Sequence, residues 1–182
     1  MKISVIVRTY KRPEFLEQAL TSIQLQTHKD WEVIIFDDGD SSLNQKIVNG
    51  FKERTNNLVT YINSGKEHHL FKESWKIAPK IANGEVMIRL DDDDLLDSEC
   101  LEFVSMIIHS SKLNQMCIFH PYMMRTKSIL KVVDKIKMTS NFVDDLEFLG
   151  SLDNLGLGYA SLKRTLSYVR KHDEGSITEE GK

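Results

Sequence analysis

The chain has 182 residues, of which 41% are hydrophobic and 28% are charged, a composition that excludes collagen-like and wholly disordered proteins. This length is sufficient for a substantial core and predicts one domain. The 24 basic and 27 acidic residues leave a formal charge of −3, so no overall positive field favours nucleic acid or an anionic membrane surface.

The first half of the chain alternates between strand-like and helix-like segments. Ile3 to Val7 is a β-branched apolar run, and Pro13 then opens a segment with apolar residues at helical spacing as far as Ile23. Further strands are predicted over residues 31–36, 58–62 and 85–90, and helices over 43–52 and 71–82. This alternation predicts a single α/β domain with a mixed, mostly parallel central sheet and helices on both faces.

The second half of the chain is less regular. We predict a helix over residues 99–109, a strand over 116–123, a helix over 142–152 and a short strand over 166–170. The segment from Asp173 onward is polar and contains glycine. We therefore assign residues 1–172 to the domain and residues 173–182 to a polar C-terminal tail.

The cysteines and the N-terminal segment bear on the cellular compartment. Cys100 and Cys117 do not form a CxxC pair, which argues against a zinc knuckle and against a disulfide framework. The apolar run near the N-terminus is too short for a signal peptide or a membrane span. We therefore expect a cytoplasmic protein without a transmembrane segment.

Two acidic clusters directly follow predicted strands. Asp37-Asp38 comes after WEVIIF, and Asp91 to Asp94 comes after VMIRL. In a parallel sheet both clusters lie at the same edge, where the strands end and where ligands bind. Several carboxylates within a few ångströms repel one another unless cations or hydrogen-bond donors compensate them. A divalent cation is the simplest compensator.

The chemistry of these carboxylates indicates which ion they would bind. Oxygen ligands favour Mg²⁺ or Mn²⁺, and such ions use one or two carboxylates together with substrate phosphates. An EF-hand calcium loop is excluded because residues 91–102 contain no glycine. A purely structural alternative is that some of the carboxylates, Asp94 and Asp97 in particular, cap the start of a helix.

Four motifs carry a resemblance to a known family. They are TYKRPEFL, QTHKDWEVIIFDDG, GEVMIRLDDDD and RKHDEGSI. In this order they resemble the family 2 glycosyltransferases, which have the Rossmann-like GT-A fold. The resemblance implies a nucleotide-sugar-binding half over residues 1–97 and an acceptor-binding and catalytic half over residues 98–172.

The resemblance also implies an activity and a donor site. The expected reaction moves a sugar from a nucleotide-diphosphate donor, most simply a UDP-sugar, to a hydroxyl of a glycan, a lipid-linked acceptor or another acceptor. By resemblance, Thr9 and Tyr10 lie against the donor nucleotide, and Asp38 forms a hydrogen bond with the base.

A metal site is implied in the same way. Asp91 and Asp93 would form the DxD motif that approaches the ribose and a Mn²⁺ or Mg²⁺ ion, with Asp92 as the spacer on the donor side. Asp93 is the predicted metal ligand. His172 would complete the coordination, since neutral imidazole suits ions such as Mn²⁺.

Further residues are expected to act in the transfer itself. An inverting reaction needs a carboxylate that removes the proton of the acceptor hydroxyl. Asp145, the second residue of an acidic pair, resembles the family's catalytic base. Basic side chains can also stabilise a departing diphosphate. The candidates are Arg8, Lys11, Arg12 and Lys66.

Three positions depart from the family pattern. Arg8 replaces the proline that is usual before Thr-Tyr, and Lys11 replaces a common asparagine. Trp75-Lys76 stands where an Arg-Asn pair is frequent. The resemblance therefore does not fix the sugar of the donor.

Two other functions stay open from the sequence. A nucleotidyltransferase also places nucleotide and metal at the ends of parallel strands, although it would normally have a Gly-rich phosphate loop after its first strand. A degenerate module that binds nucleotide sugar without transfer is consistent with the short acceptor half. No interleaving of basic and aromatic residues supports a nucleic-acid partner.

Overall fold

A seven-stranded sheet lies at the centre of the protein. The computed structural model describes residues 1–39, 41–65, 70–110, 116–118, 122–136, 150–155, 159–161 and 166–169. The strands are β1 (Ile3–Thr9), β2 (Trp31–Asp37), β3 (Val59–Asn63), β4 (Val86–Asp91), β5 (Asp94–Leu96), β6 (Met116–Ile118), β7 (Tyr122–Arg125), β8 (Tyr159–Ser161) and β9 (Ser167–Val169). The helices are α1 (Pro13–Gln24), α2 (Ser42–Glu53), α3 (Leu70–Ile81), α4 (Cys100–Ser110), α5 (Thr126–Leu130) and a 3-10 helix over Val133–Lys135.

The large sheet has the strand order β3-β2-β1-β4-β7-β6-β8. β1 pairs in parallel with both β2 and β4, and β2 pairs in parallel with β3. β7 runs antiparallel to β4 and to β6, while β6 and β8 are parallel. A separate antiparallel pair joins β5 to β9. This mixed, mostly parallel sheet confirms the predicted α/β fold class.

The chain reverses its direction of travel across the sheet at β1. β2 and β3 are added on one side of β1, and the segment containing α3 then leads to β4 on the other side. In open α/β sheets, a crevice forms at the carboxyl ends of the strands that flank such a reversal, and ligands bind there. The carboxyl ends of β1 and β4 are therefore the expected place for a site.

Helices cover both faces of the sheet, because successive residues of a strand point to opposite faces. On one face, Val5 belongs to a buried cluster with Leu20 of α1 and Phe51 of α2. On the other face, Ile6 packs in a cluster with Trp75 of α3. All five side chains are at most 5% exposed, so burial of apolar surface holds the helices against the sheet.

The amino ends of the three central strands are locked by a buried polar network. The carboxylate of Glu32, which is 1% exposed, accepts hydrogen bonds from the Ser4 hydroxyl at 2.6 Å and from the side chain of Asn83 at 2.8 Å. Gly84 passes so close that a Cβ atom there would lie 2.5 Å from the amide nitrogen of Ser4. These contacts fix the register of β1, β2 and β4, and with it the relative positions of their carboxyl ends.

The structure corrects the predicted elements of the second half. The single strand predicted over residues 116–123 is wrong, because β6 and β7 are two antiparallel strands. Pro121 lies between them in the sequence, and proline has no amide hydrogen to continue a strand ladder. Helix α5, the 3-10 helix and strand β5 were not predicted, since each is at most five residues long and too short for a periodic pattern.

Parts of the sequence predictions lie outside the described residues. Residues 150–154 are helical, which agrees with the end of the helix predicted over 142–152, whereas residues 142–149 are not described. The tail over residues 173–182 is not described either, so the domain bounds stay a prediction. Within the described part of the chain, no helix combines the length and the apolar character needed to cross a membrane.

Candidate functional site

Both acidic clusters lie at the carboxyl edge of the sheet, on either side of β1. Thr9 is the register partner of Asp37, and Arg8 is the register partner of Asp91. The amide of Asp38 donates a hydrogen bond to the carbonyl of Thr9 at 3.0 Å, and the amide of Asp92 donates one to the carbonyl of Arg8 at 3.1 Å. The prediction that the clusters share one edge is therefore confirmed.

Asp91 is held by two arginines. Arg8 approaches Oδ1 of Asp91 with Nε at 3.0 Å and Nη2 at 2.9 Å, and Arg89 donates from Nη2 to Oδ2 at 2.9 Å. Burial raises the pKa of Asp91, but the two guanidinium groups outweigh it and hold the pKa well below its usual range. Asp91 is therefore an ionised carboxylate with both oxygens in ion pairs.

Arg89 is itself fixed by aromatic rings. Its guanidinium carbon lies 5.2 Å from the ring centroid of Trp75 and 4.7 Å from that of Tyr122. Cations are attracted to the faces of such rings at these distances. Trp75, one of the departures from the family pattern, thus supports the arginine that holds Asp91.

Asp92 turns inward, towards the end of β1. Its side chain accepts a hydrogen bond on Oδ2 from the hydroxyl of Thr9 at 2.7 Å, and Asp92 is only 3% exposed. Burial is the largest effect on this carboxyl group and raises its pKa to about 7, although the bond from Thr9 and the charge of Arg12 oppose the rise. Thr9 and Asp92, both predicted beside the donor, therefore contact one another.

Asp93 faces outward and pairs with Arg12. Nη1 of Arg12 lies 2.9 Å from Oδ2 of Asp93 and 3.6 Å from Oδ1 of Asp92. The side chain of Asp93 is 23% exposed and that of Arg12 is 15% exposed. Arg12, predicted as a partner for phosphate, thus lies at the predicted metal ligand.

The positive charges next to the acidic run are arginine side chains, whereas the sequence suggested a divalent cation. We expected a divalent cation to be the simplest counter-charge for the crowded carboxylates, but Arg8, Arg12 and Arg89 supply positive charge to Asp91 and Asp93. The crowding alone therefore does not require a metal. A metal role for Asp93 rests on the family resemblance.

The two remaining acidic residues have separate structural roles. Asp94 begins β5, pairs with Val169 of β9 and is 5% exposed, so the suggestion that it caps a helix is wrong. Asp97 lies three residues before α4, and its Oδ1 accepts a hydrogen bond from the amide of Glu99 at 3.0 Å in the turn that leads into the helix. The side chain of Asp97 also accepts a bond from the hydroxyl of Tyr168 at 3.2 Å.

The loop after β1 carries Tyr10 and Lys11. Lys11 has a φ of 51°, in the left-handed region that costs a side chain such as lysine roughly 1 kcal/mol. Its ammonium group lies 5.1 Å from the centroid of the Tyr10 ring. A Cβ atom on Gly39 would lie 3.2 Å from the same ring, so the glycine of the DDG motif leaves room for Tyr10.

Asp37 shapes the edge of the site, a role that sequence reasoning did not assign. It accepts hydrogen bonds from the hydroxyl of Tyr61 at 2.6 Å, from Asn44 at 3.0 Å and from the amide of Gly39 at 3.0 Å. Burial raises the pKa of Asp37 in spite of these donors. Its neighbour Asp38, the predicted base contact, is 6% exposed. Asp37 thus holds the turn that positions Asp38.

Several predicted residues lie outside the described part of the chain. They are Asp145, His172 and Lys66, whose roles stay predictions. Among the residues that are described, no group of three or more histidine, cysteine, aspartate or glutamate side chains converges as a metal-binding cluster. The described part of the site is therefore an acidic and basic cluster around Thr9, Arg12 and Asp93.

Comparisons with known proteins bear on the family and the fold of the chain. The model of the Glycosyl transferase family 2 matches residues 4–131, well over half of the chain. A curated relative, the GalNAc(5)-diNAcBac-PP-undecaprenol beta-1,3-glucosyltransferase of Campylobacter jejuni, is 33% identical over 108 residues, which cover 55% of this chain and 32% of that protein. The chain thus spans about a third of the length of such relatives.

Solved structures show the same fold. Staphylococcus aureus TarS 1-349 in complex with UDP-GlcNAc superposes with a TM-score of 0.71 at 20% identity, over 100% of this chain and 62% of that one. The mannosyltransferase PcManGT of Pyrobaculum calidifontis, in complex with GDP-Man and Mn²⁺, gives a TM-score of 0.71 at 16% identity, over 88% of this chain and 54% of that one. These neighbours confirm the GT-A fold.

Proposed function

Since the chain belongs to the glycosyl transferase family 2, we propose that it takes part in moving a sugar from a nucleotide-diphosphate donor to an acceptor hydroxyl. One observation carries this proposal. Thr9 contacts Asp92, and Arg12 contacts Asp92 and Asp93, at the carboxyl ends of β1 and β4, where the direction of the chain across the sheet reverses. A crevice of this kind is the usual nucleotide site of open α/β sheets.

The donor site is proposed around the loop after β1. Tyr10 offers an aromatic face next to Gly39, which suits contact with a nucleoside, and Asp38 would accept a hydrogen bond from the base. Arg12 and Lys11 carry positive charge at the same edge and would bind the diphosphate. A uridine base is proposed on the family resemblance, while the two structural neighbours bind UDP-GlcNAc and GDP-Man.

A divalent cation, Mn²⁺ or Mg²⁺, is proposed at Asp93. The donor set fits such an ion, because a partly exposed carboxylate can share it with donor phosphates. His172 would supply a further ligand. Strand β9 ends at Val169, three residues before His172 in the sequence, and Val169 pairs with Asp94 of the acidic run. When bound, the ion would stabilise negative charge on the leaving nucleoside diphosphate.

The proposed transfer inverts the configuration of the sugar. Asp145 removes the proton of the acceptor hydroxyl, whose oxygen attacks the anomeric carbon as the bond from that carbon to the diphosphate oxygen breaks. Arg12 and Lys11 offset the charge that develops on the diphosphate. Retention of configuration in the product, or full turnover by Asp145→Asn, would contradict this assignment.

Two other functions are distinguishable from transfer. A module that binds nucleotide sugar without transfer would bind the donor and move no sugar to an acceptor. A nucleotidyltransferase is less well supported, since the loop after β1 reads YKRP and contains no glycine. Release of free nucleoside diphosphate with transfer of sugar identifies the glycosyltransferase.

The donor is testable by thermal shift with UDP-sugars and GDP-sugars, each with and without Mn²⁺. A ligand at 100 times its Kd stabilises the native state by about 2.7 kcal/mol, which corresponds to roughly 5–10 °C for a chain of this size. We expect the largest shift with a UDP-sugar plus Mn²⁺.

Two variants control the thermal-shift experiment. Asp93→Ala should lose the Mn²⁺-dependent part of the shift, because it removes the proposed ligand. Asp153→Ala changes an exposed aspartate in the segment over residues 150–155 and should keep the full shift. An absence of any shift in the unmodified protein, with every donor in the presence and in the absence of Mn²⁺, would refute the proposed donor site.

A further inference from the structure

Arg12 occupies the position at which the proposed cation would bind. Its Nη1 lies 2.9 Å from Oδ2 of Asp93 and 3.6 Å from Oδ1 of Asp92. The side chain is 15% exposed, and its guanidinium carbon also lies 6.0 Å from the ring centroid of Phe15. The guanidinium group is thus held between the acidic run and the first turn of α1.

A guanidinium group and a divalent cation compete for this carboxylate. Both are positively charged, and they repel one another strongly at a separation of a few ångströms. A cation that coordinates Oδ2 of Asp93 therefore has to displace Nη1 of Arg12 from it. In the absence of another anion, Arg12 would weaken the binding of the metal.

The diphosphate of a donor supplies the missing anion. Arginine pairs with phosphate through two parallel N–H donors, at least as favourably as with a carboxylate. Arg12 precedes Pro13, the first residue of α1, and its side chain makes no capping hydrogen bond to that helix, so no such bond would break if the guanidinium group moved. The amino end of α1 favours negative charge at the same place.

We propose that Arg12 is an exchangeable counter-ion of Asp93: it pairs with the carboxylate in the donor-free protein and moves to the donor diphosphate when the divalent cation binds Asp93. The inference rests on the proposed function, since it needs a diphosphate and a metal at this edge. Its consequence is that metal and donor each raise the affinity for the other. A free cation binds weakly, and a cation together with the diphosphate binds tightly.

The test measures the coupling between Mn²⁺ and UDP. The Kd of Mn²⁺ alone is obtained from the paramagnetic resonance signal of free Mn²⁺, and the Kd of UDP is obtained by calorimetry with and without Mn²⁺. In Arg12→Gln we expect Mn²⁺ alone to bind on the order of tenfold more tightly, and the factor by which Mn²⁺ raises UDP affinity to fall by a similar amount.

Two further variants separate exchange from a general effect of charge. Arg54→Gln removes one positive charge at an exposed position that follows α2 and should leave both constants unchanged. Arg12→Lys keeps the charge but not the paired donors. It should therefore bind Mn²⁺ alone nearly as weakly as the unmodified protein while losing affinity for UDP.

The outcomes distinguish this inference from the proposed function. If Arg12→Gln weakens UDP but leaves the Kd of Mn²⁺ alone unchanged, Arg12 is an ordinary phosphate contact and the exchange is refuted, while the donor site stands. If Mn²⁺ alone binds more tightly but UDP binds no protein under any condition, the exchange and the proposed donor site both fail. Tighter Mn²⁺ binding together with reduced coupling supports the exchange.

Discussion

The ion pair between Arg8 and Asp91 offers a quantitative test of how the acidic run is held. Arg8→Met removes the two donors that approach Oδ1 of Asp91 at 3.0 Å and 2.9 Å and keeps an unbranched apolar side chain in a buried position. Arg89 still donates to Oδ2 at 2.9 Å. Asp91 therefore keeps one of its two counter-ions in the variant.

The expected loss follows from this geometry. Breaking a buried ion pair costs about 3–5 kcal/mol when a charge is left uncompensated, and the retained arginine and the 27% exposure of Asp91 reduce that cost. We expect Arg8→Met to lower the free energy of unfolding by about 2–3 kcal/mol, which lowers Tm by roughly 4–12 °C. Urea unfolding followed by circular dichroism measures the change.

A double-mutant cycle assigns the loss to the pair. Arg8→Met and Asp91→Asn, alone and together, should give a coupling energy of about 1–3 kcal/mol. Because the pKa of Asp91 is lowered in the folded protein, its contribution is present at neutral pH and is lost as the pH falls through the folded pKa. The difference in the free energy of unfolding between Arg8→Met and the unmodified protein should therefore become smaller at acidic pH.

Control and refutation use the same assay. Arg54→Met removes the same charge from an exposed position and should change stability by no more than about 0.5 kcal/mol. If Arg8→Met also changes the free energy of unfolding by no more than this amount, or if the coupling energy is zero, Arg8 does not hold Asp91 in solution and the assignment fails.

Two other predictions concern buried groups near the strand ends. Asp92, whose pKa is raised to about 7, keeps a proton in the folded state that the unfolded chain has lost, so the free energy of unfolding should fall as the pH rises from about 4 to about 7. Urea unfolding at several pH values should show a flatter dependence for Asp92→Asn. An unchanged slope would exclude Asp92 as the source of the dependence. A Cβ on Gly84 would lie 2.5 Å from the amide of Ser4, so Gly84→Ala should lower the free energy of unfolding by about 1–3 kcal/mol. Gly50→Ala, with nothing within 4 Å of the new atom, should raise it by about 0.5–1 kcal/mol. Equal thermal stabilities of the two variants would contradict the close approach at Gly84.

The first half of the fold was predictable because its signals are local. The apolar run at Ile3 and the helical spacing after Pro13 depend only on near neighbours in the sequence, and the structure has β1 and α1 at these places. The second half was less predictable because its elements are short. Strand β5 has three residues, and its pairing with β9 joins Asp94 to Val169 across the sequence.

The edge on which the site lies could also be predicted, but the partners of its side chains could not. Acidic residues after two apolar strands indicate one edge of a parallel sheet, and Asp38 and Asp91 do lie there. The pairing of Arg8 with Asp91 spans 83 residues and depends on the register of β1 and β4. No spacing within the sequence encodes that register directly.

The acidic run shows why identical neighbouring residues acquire different roles. Asp91 is the last residue of β4, where the strand register places it beside Arg8. The turn that follows directs Asp92 towards Thr9 and Asp93 towards Arg12, and Asp94 begins β5 as a buried residue. Asp91 already holds two arginines, and Asp92 and Asp94 are each at most 5% exposed. Asp93 is therefore the carboxylate of the run best placed to exchange an arginine for a metal ion, because the phosphates that bring the ion would also receive the arginine.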